Sequence, residues 1–152
     1  MAGWTNRGKY NALNYVFRNA AEATNFYVFL ATSATAPTAD INTKSELTEI
    51  ATGNGYTAGG ISLNRDATDF DVLTEDDTND RALIQIKDLV WTASGGNLPA
   101  SGNGARYAIL TDDNVTLGSR EVWTYFDLVS DRTVSTGQTL TIQNAELRLN
   151  ES

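Results

Sequence analysis

The sequence contains neither cysteine nor histidine among its 152 residues. Without cysteine, the chain has no disulfide, no thiolate nucleophile and no zinc–thiolate site. Without histidine, it lacks the commonest general base and the commonest protein metal ligand. Ser-His-Asp and Cys-His catalysis are therefore excluded, and an enzyme would have to work with carboxylates, lysine or tyrosine. No pair of carboxylates stands out for that work, so we predict no enzyme, no catalytic residue, no cofactor and no metal ligand.

Basic residues are also scarce, since 11 lysines and arginines face 19 acidic residues and give a net charge of −8. Such a surface repels phosphate backbones, which predicts no direct contact with nucleic acid. The longest apolar run, residues 26–31, is too short to span a bilayer, so we expect no membrane insertion. The first seven residues lack the apolar centre of a signal peptide, and we expect no export signal.

The N-terminal part predicts an amphipathic helix that begins after Thr5 or Asn6 and runs to about Ala20. One apolar stripe recurs at three- and four-residue spacing, which is typical of the face that a helix turns toward a core. Its members are Tyr10, Leu13, Phe17 and Ala20. The basic residues Arg7, Lys9 and Arg18 lie off that stripe.

Residues 1–8 are predicted to form an extended N-terminal arm, and residues 9–152 a single β-sandwich domain. We expect removal of the arm to leave the fold intact. Trp4 admits two interpretations: a hydrophobic staple against the first helical turn, or an aromatic anchor for another protein. The candidate contact residues for a capsid or for a neighbouring subunit are Trp4, Arg7 and Lys9.

The rest of the chain predicts seven or eight strands, because apolar and polar residues alternate between Gly, Asn and Asp turns. The fold class is mainly all-β, an antiparallel, jelly-roll-like β-sandwich with the N-terminal helix and one further short helix. The capping box Thr43 to Glu46 predicts the start of that short helix, ahead of Leu47 and Ile50, and Gly53 predicts its end. The alternation changes parity near Asp88 and near Asn144, which predicts a β-bulge at each position.

Seven acidic residues fall within residues 66–80. One interpretation is a calcium site, since calcium binds clustered oxygen ligands, but the spacing does not match an EF-hand loop. We favour solvated turns. The Gly-rich loop at residues 91–104 is not followed by Gly-Lys-Ser/Thr and leads into a strand, so we reject a nucleotide site there.

The order of several segments resembles a family of small virion proteins of tailed bacteriophages, described as head decoration (cement) or tail-fibre-like proteins. The segments that carry the resemblance are Asn14-Tyr15-Val16-Phe17-Arg18-Asn19, Phe26-Tyr27-Val28-Phe29-Leu30, Gly53-Asn54-Gly55-Tyr56, Trp91-Thr92-Ala93, Gly104-Ala105-Arg106-Tyr107-Ala108, Trp123-Thr124-Tyr125-Phe126-Asp127 and residues 137–147. The acidic segment at residues 73–80 departs from the family, whose members often turn tightly there.

This resemblance implies a capsid decoration protein that binds the outer surface of the major capsid shell and stabilises it. It also implies a homo-oligomer, a trimer or a dimer, located in the virion after synthesis in the host cytoplasm. The family contributes no catalytic residue. The alternative is a tail or tail-fibre component that helps bind host glycans, with Tyr56, Trp91 and Trp123 as possible sugar-stacking platforms.

Overall fold

The computed structural model describes residues 2–150 and confirms a mainly β fold with antiparallel sheets. One α-helix, α1, spans Asn6–Arg18, and two short 3₁₀ turns span Lys44–Glu46 and Leu117–Ser119. The strands are β1 Ala2–Trp4, β2 Asn25–Ala31, β3 Ile61–Asn64, β4 Val72–Asp76, β5 Arg81–Ile86, β6 Leu89–Thr92, β7 Ala105–Thr111, β8 Val122–Arg132, β9 Thr139–Ile142 and β10 Ala145–Asn150. The predicted second helix is thus a single 3₁₀ turn, where the Glu46 carboxylate accepts a hydrogen bond from the Thr43 backbone N–H at 2.7 Å.

The strands form a five-stranded sheet in the order β1-β8-β7-β2-β3, a three-stranded sheet β10-β5-β4 and a two-stranded sheet β6-β9. The pairs within these sheets are antiparallel. The jelly-roll-like sandwich itself stays a prediction. Within residues 2–150, no helix has the length and apolar character needed to cross a bilayer.

Strand β2 is buried on both faces, as its continuous apolar run predicts. Val28 and Leu30 belong to a large apolar cluster that also includes side chains of the three-stranded and two-stranded sheets. Phe29 faces the other way, into a smaller cluster with Leu47 and Ile109. The five-stranded sheet therefore has an apolar core on each side, and the segment that carries Leu47 helps cover the second one.

The β-bulges predicted near Asp88 and Asn144 are instead one interruption that two neighbouring strands share, with no extra residue on either strand. Ile86 pairs with Ala145 and Leu89 pairs with Ile142, so residues 87–88 and 143–144 interrupt both strands at the same level. The Gln143 side-chain amide bridges the interruption by donating to the Asp88 carboxylate at 3.2 Å. These interruptions divide one long antiparallel ribbon into the β5–β10 and β6–β9 pairs, and each half keeps its apolar side chains inward.

A β-bulge that the sequence pattern did not reveal lies in β8. Leu110 pairs with Thr124 but Thr111 pairs with Val122, so Trp123 is the extra residue. An uninterrupted alternation of side chains along β8 would place Val122 on the same face as Phe126. That assignment is wrong, because the bulge moves Val122 into the smaller cluster while Trp123 and Phe126 join the large one.

The described part of the predicted arm, residues 2–8, is not loose. Ala2–Trp4 forms the edge strand β1, which pairs with β8 from Ala2 opposite Phe126 to Trp4 opposite Thr124. Thr5 is fully buried, and Gly8 is buried against β8. The prediction that these residues can be removed without harm to the fold is inconsistent with this arrangement, because they carry sheet hydrogen bonds and buried contacts. A three-residue strand is too short for an alternation pattern to reveal.

Candidate interaction surface

Helix α1 begins at a well-made cap. Thr5 has extended backbone angles, and its side-chain oxygen accepts a hydrogen bond from the Gly8 N–H at 2.9 Å. The same hydroxyl donates to the Val122 carbonyl, and the Thr5 N–H donates to the Trp123 carbonyl at 3.0 Å. The predicted start is therefore confirmed, and the cap also joins the helix to β8. The helix ends at Arg18, two residues before the predicted end, because Asn19 adopts the left-handed conformation.

The inner face of α1 consists of small and polar residues rather than the predicted apolar stripe. Gly8 lies so close to β8 that a Cβ atom there would be 2.3 Å from the Trp123 carbonyl oxygen. Asn11 is buried and donates to the Glu121 carboxylate at 2.5 Å. Tyr15 packs on Trp123 with ring centroids 5.4 Å apart, and this burial is the main reason that its pKa is raised. A close backbone approach thus decides which face of α1 turns inward.

The outer face of α1 carries the apolar residues that the sequence assigned to the core. Tyr10, Leu13 and Phe17 are 54%, 60% and 77% exposed, and Val16 is 73% exposed. The prediction that the stripe formed by Tyr10, Leu13 and Phe17 packs inward is therefore wrong. We call the outward residues Tyr10, Leu13, Val16 and Phe17 the α1 stripe. Large apolar side chains grouped on one exposed face are typical of interaction sites.

Basic residues flank the α1 stripe. The sequence of α1, Asn6–Arg18, contains Arg7, Lys9 and Arg18 but no aspartate or glutamate, although the whole chain has a net charge of −8. Arg7 is half-buried and lies 3.7 Å from the Glu121 carboxylate, which partly offsets its charge. Lys9 and Arg18 are exposed. The α1 surface is therefore apolar and basic on a molecule that is acidic elsewhere.

The three predicted contact residues lie at one end of the molecule but in different settings. Trp4 is half-buried, and its indole N–H donates to the Arg148 carbonyl at 2.9 Å, so it connects β1 to β10. This hydrogen bond was not predicted from the sequence, and the two roles predicted for Trp4 stay predictions. Lys9 is the most accessible of the three.

A second uncovered apolar surface borders the edge strand β4. A pocket of about 370 Å³ has the rings of Phe26 and Phe70 in its wall, together with Ile84 and Leu73. Leu73 is 77% exposed, and β4 pairs with β5 at the end of its sheet. We call this the Leu73 pocket. It lies against residues 66–80, which were predicted to be solvated turns.

The acidic residues of that segment have individual structural roles. The Asp66 carboxylate accepts from the backbone N–H groups of Thr68 and Asp69, which closes a tight turn. The Asp69 carboxylate is buried and pairs with Lys87, whose hydrogen bond is the main reason that the pKa of Asp69 is lowered. Over residues 2–150 no three acidic side chains come together in a way that could hold a metal ion.

The aromatic residues considered as sugar platforms do not face solvent. Tyr56, Trp91 and Trp123 are 3%, 4% and 6% exposed and belong to the large apolar cluster. The Tyr56 hydroxyl accepts from the Leu30 N–H at 3.0 Å and donates to the Glu49 carboxylate at 2.7 Å. Burial near this carboxylate raises the pKa of Tyr56, so the hydroxyl stays neutral and serves as a structural donor. These side chains hold the core together and cannot stack on a glycan.

Comparison with known proteins adds no further evidence: no family model matches the chain, and no match was found among curated proteins or solved structures.

Proposed function

We propose that this chain is a bacteriophage virion structural protein, a capsid decoration protein that binds the outer surface of the major capsid shell. The observation that carries the proposal is the N-terminal end, where the exposed Lys9 and the edge strand β1 lie beside the α1 stripe. The stripe exposes a leucine, a valine and two aromatic rings to water on a regular helix. Burying such residues in a protein contact is favourable, and aromatic residues are enriched in such contacts. The resemblance of the segment order to small virion proteins supplies the class of partner.

A decoration protein works by adding interface across the seams of the shell. Packaged DNA pushes the capsid outward, and a protein that contacts two neighbouring capsid subunits resists their separation. Each contact needs only a standard interface, because many copies act together on one shell. An acidic surface suits the side of such a protein that faces solvent, since like charges keep separate particles apart.

The proposed shell contact is the N-terminal end, where Lys9 is exposed and β1 presents the edge of the five-stranded sheet. Arg7 and Trp4 border this end, although each already has a contact within the chain. A basic side chain in this position would meet carboxylates of the capsid surface, and its contribution would fall with added salt.

The test is cosedimentation of the purified protein with expanded capsid shells that lack it. We expect saturable binding at a fixed ratio to the major capsid protein. Lys9→Glu should weaken that binding several-fold, and the effect should shrink at high salt. Arg132→Glu is the matched control, because Arg132 is also exposed but lies at the far end of β8 from α1.

Absence of saturable binding by the unmodified protein would refute the decoration function. Recovery of the protein in tail fractions would instead favour the tail or tail-fibre alternative. Equal weakening by Lys9→Glu and Arg132→Glu would show that the shell responds to overall charge, and the N-terminal contact would then be rejected.

A further inference from the structure

We propose that the α1 stripe of one copy docks into the Leu73 pocket of a second copy of this chain. The proposal identifies a second copy as the partner of the α1 stripe. It rests on the proposed function only in taking the stripe to be a surface that contacts protein. The contact is of the helix-in-groove type, in which a few side chains on one helical face enter an apolar depression. Both surfaces are present on every copy, so no other protein is needed to form it.

The helix supplies regularly spaced anchors. Tyr10, Leu13 and Phe17 stand at positions i, i+3 and i+7, which lie on one face of an α-helix. Phe17 is the most exposed of them at 77%, near the C-terminal end of α1. Helix α1 is capped at Thr5 and held against β8 by its inner face. It therefore presents the anchors in a fixed arrangement, and little conformational entropy is lost on docking.

The Leu73 pocket supplies a matching depression. Two aromatic rings, Phe26 and Phe70, pack edge to face with centroids 5.9 Å apart and form part of its wall. An apolar cavity of roughly 150 Å³ accommodates a benzene molecule. The pocket volume of about 370 Å³ therefore admits the ring of Phe17 together with part of Leu13. Leu73 at its border would contact the incoming helix directly.

Charge complementarity selects the second copy as the occupant. Helix α1 carries three basic residues and no acidic one, whereas residues 66–80 carry seven acidic residues and no basic one. Arg65 also lines the pocket, but it forms an ion pair with Glu22 and donates to the Ala23 carbonyl at 3.0 Å. Asp66 lines the pocket as well, and Asp71 and Glu75 beside it are exposed, so they can meet Arg18 of the neighbouring copy.

The same charges disfavour the other arrangements. Docking α1 on α1 would place three positive charges against three, and docking pocket on pocket would bring acidic segments together. An anionic lipid surface would attract α1, but it would repel a molecule with a net charge of −8. A contact between two different patches gives a dimer when it is made reciprocally. When each copy uses one neighbour for each patch, it gives a ring if the rotation between copies closes and an open filament if it does not.

The experiment measures the mass of the protein alone, without shells, by sedimentation velocity. The full chain should sediment as an oligomer, and Phe17→Glu and Leu73→Glu should each reduce it to a monomer by weakening association at least tenfold. Val115→Glu is the matched control, since Val115 is 96% exposed in a loop outside both surfaces. Phe17 and Leu73 are each 77% exposed in the monomer, so both variants should keep the circular dichroism spectrum of the parent, which would show that they still fold.

Mixing the two variants tests whether the α1 stripe and the Leu73 pocket contact each other. Phe17→Glu retains an intact pocket and Leu73→Glu retains an intact stripe, so an equimolar mixture should form a one-to-one complex although each variant alone is monomeric. Failure of the mixture to associate would overturn the proposal. A monomeric full chain, or an oligomer that survives either substitution, would overturn it too. Binding of that monomeric chain to phosphatidylserine vesicles would assign the stripe to a membrane instead.

The shell assay keeps this inference distinct from the proposed function. A monomeric full chain that still binds shells saturably would overturn self-association and leave the decoration function in place. An oligomer that Phe17→Glu dissolves, but that binds no shell, would support self-association and refute decoration.

Discussion

Replacing Gly8 with alanine tests which face of α1 contacts the sheet. In an isolated helix, this change should be stabilising by up to about 1 kcal/mol, because glycine is a poor helix former. In the folded chain, the new Cβ atom would lie 2.3 Å from the Trp123 carbonyl oxygen and 2.7 Å from the Trp123 Cα. Both are backbone atoms of a paired strand, so they cannot move aside as the end of a flexible side chain can.

The helix would therefore have to move away from β8. Such overpacking costs about 1 to 3 kcal/mol, and the displacement also weakens the Asn11–Glu121 hydrogen bond and the Tyr15–Trp123 contact. Together these losses outweigh the gain in helix propensity, and we expect Gly8→Ala to lower the free energy of unfolding by about 2 kcal/mol. For a chain of this size, that corresponds to a melting temperature lower by roughly 4 to 8 °C.

The assay is urea and thermal unfolding, followed by circular dichroism, of the parent and of the three variants Gly8→Ala, Lys9→Ala and Phe17→Ala. Lys9→Ala is the control, since the neighbouring side chain is exposed and its loss should change stability by less than about 0.5 kcal/mol. At protein concentrations too low for association, Phe17→Ala should be equally mild, because the α1 stripe of the monomer faces solvent, whereas a phenylalanine buried in the core would cost about 3 to 5 kcal/mol. A Gly8→Ala protein as stable as the parent, combined with a severe Phe17→Ala defect, would refute the described orientation of the helix.

Three further predictions concern the rest of the fold. Deleting residues 1–8 removes β1, the Thr5 cap and the half-buried Trp4, and should lower the free energy of unfolding by about 3 kcal/mol or more. An unchanged midpoint of urea unfolding would contradict a stabilising role of β1. Tyr56→Phe leaves the buried Leu30 N–H without its acceptor, so we expect the free energy of unfolding, measured in urea, to fall by about 2 kcal/mol. A decrease below about 0.5 kcal/mol would show that the Tyr56 hydroxyl contributes little to stability. The pKa of Asp69 is lowered in the folded state, chiefly by the hydrogen bond from Lys87. The stability that this carboxylate contributes is therefore fully present above its pKa in the unfolded chain, about 3.9, and is lost as the pH falls through its lower pKa in the folded chain. Asp69→Asn should therefore flatten the decline in stability on acidification, while Asp71→Asn, at an exposed carboxylate, should not.

Local signals in the sequence predicted much of the architecture because they depend on neighbouring residues. The capping threonine before α1, the doubly buried β2 and the parity changes near Asp88 and Asn144 each follow from a pattern only a few residues long. The bulge at Trp123 was missed for the same reason. It depends on the register with β7, and an aromatic residue flanked by valine and threonine fits an uninterrupted strand equally well.

The candidate site could be predicted only in part. The apolar stripe containing Leu13 and Phe17 was recognised from its spacing, but spacing shows that a helical face is to be covered and not which molecule covers it. The close approach of Gly8 to β8, which settles the orientation, depends on backbone atoms more than one hundred residues away in the chain. Arg7 and Lys9, the predicted contact residues, lie on the same helix as the α1 stripe, and their role stays a prediction. Leu13 and Phe17 were assigned to the core, but both are exposed.

The pairing of the first strand with one of the last has a consequence for synthesis of the protein. The Trp4 indole bonds to Arg148, 144 positions later, and β1 pairs with β8, which is also made late. At a translation rate of about 5 to 20 residues per second, roughly 7 to 30 s pass between the appearance of Trp4 and that of its partner. During that interval β1 has no strand to join, and the apolar helix that follows it is displayed on the nascent chain. Closure of the N-terminal edge is therefore a late step that awaits the synthesis of β8 and β10.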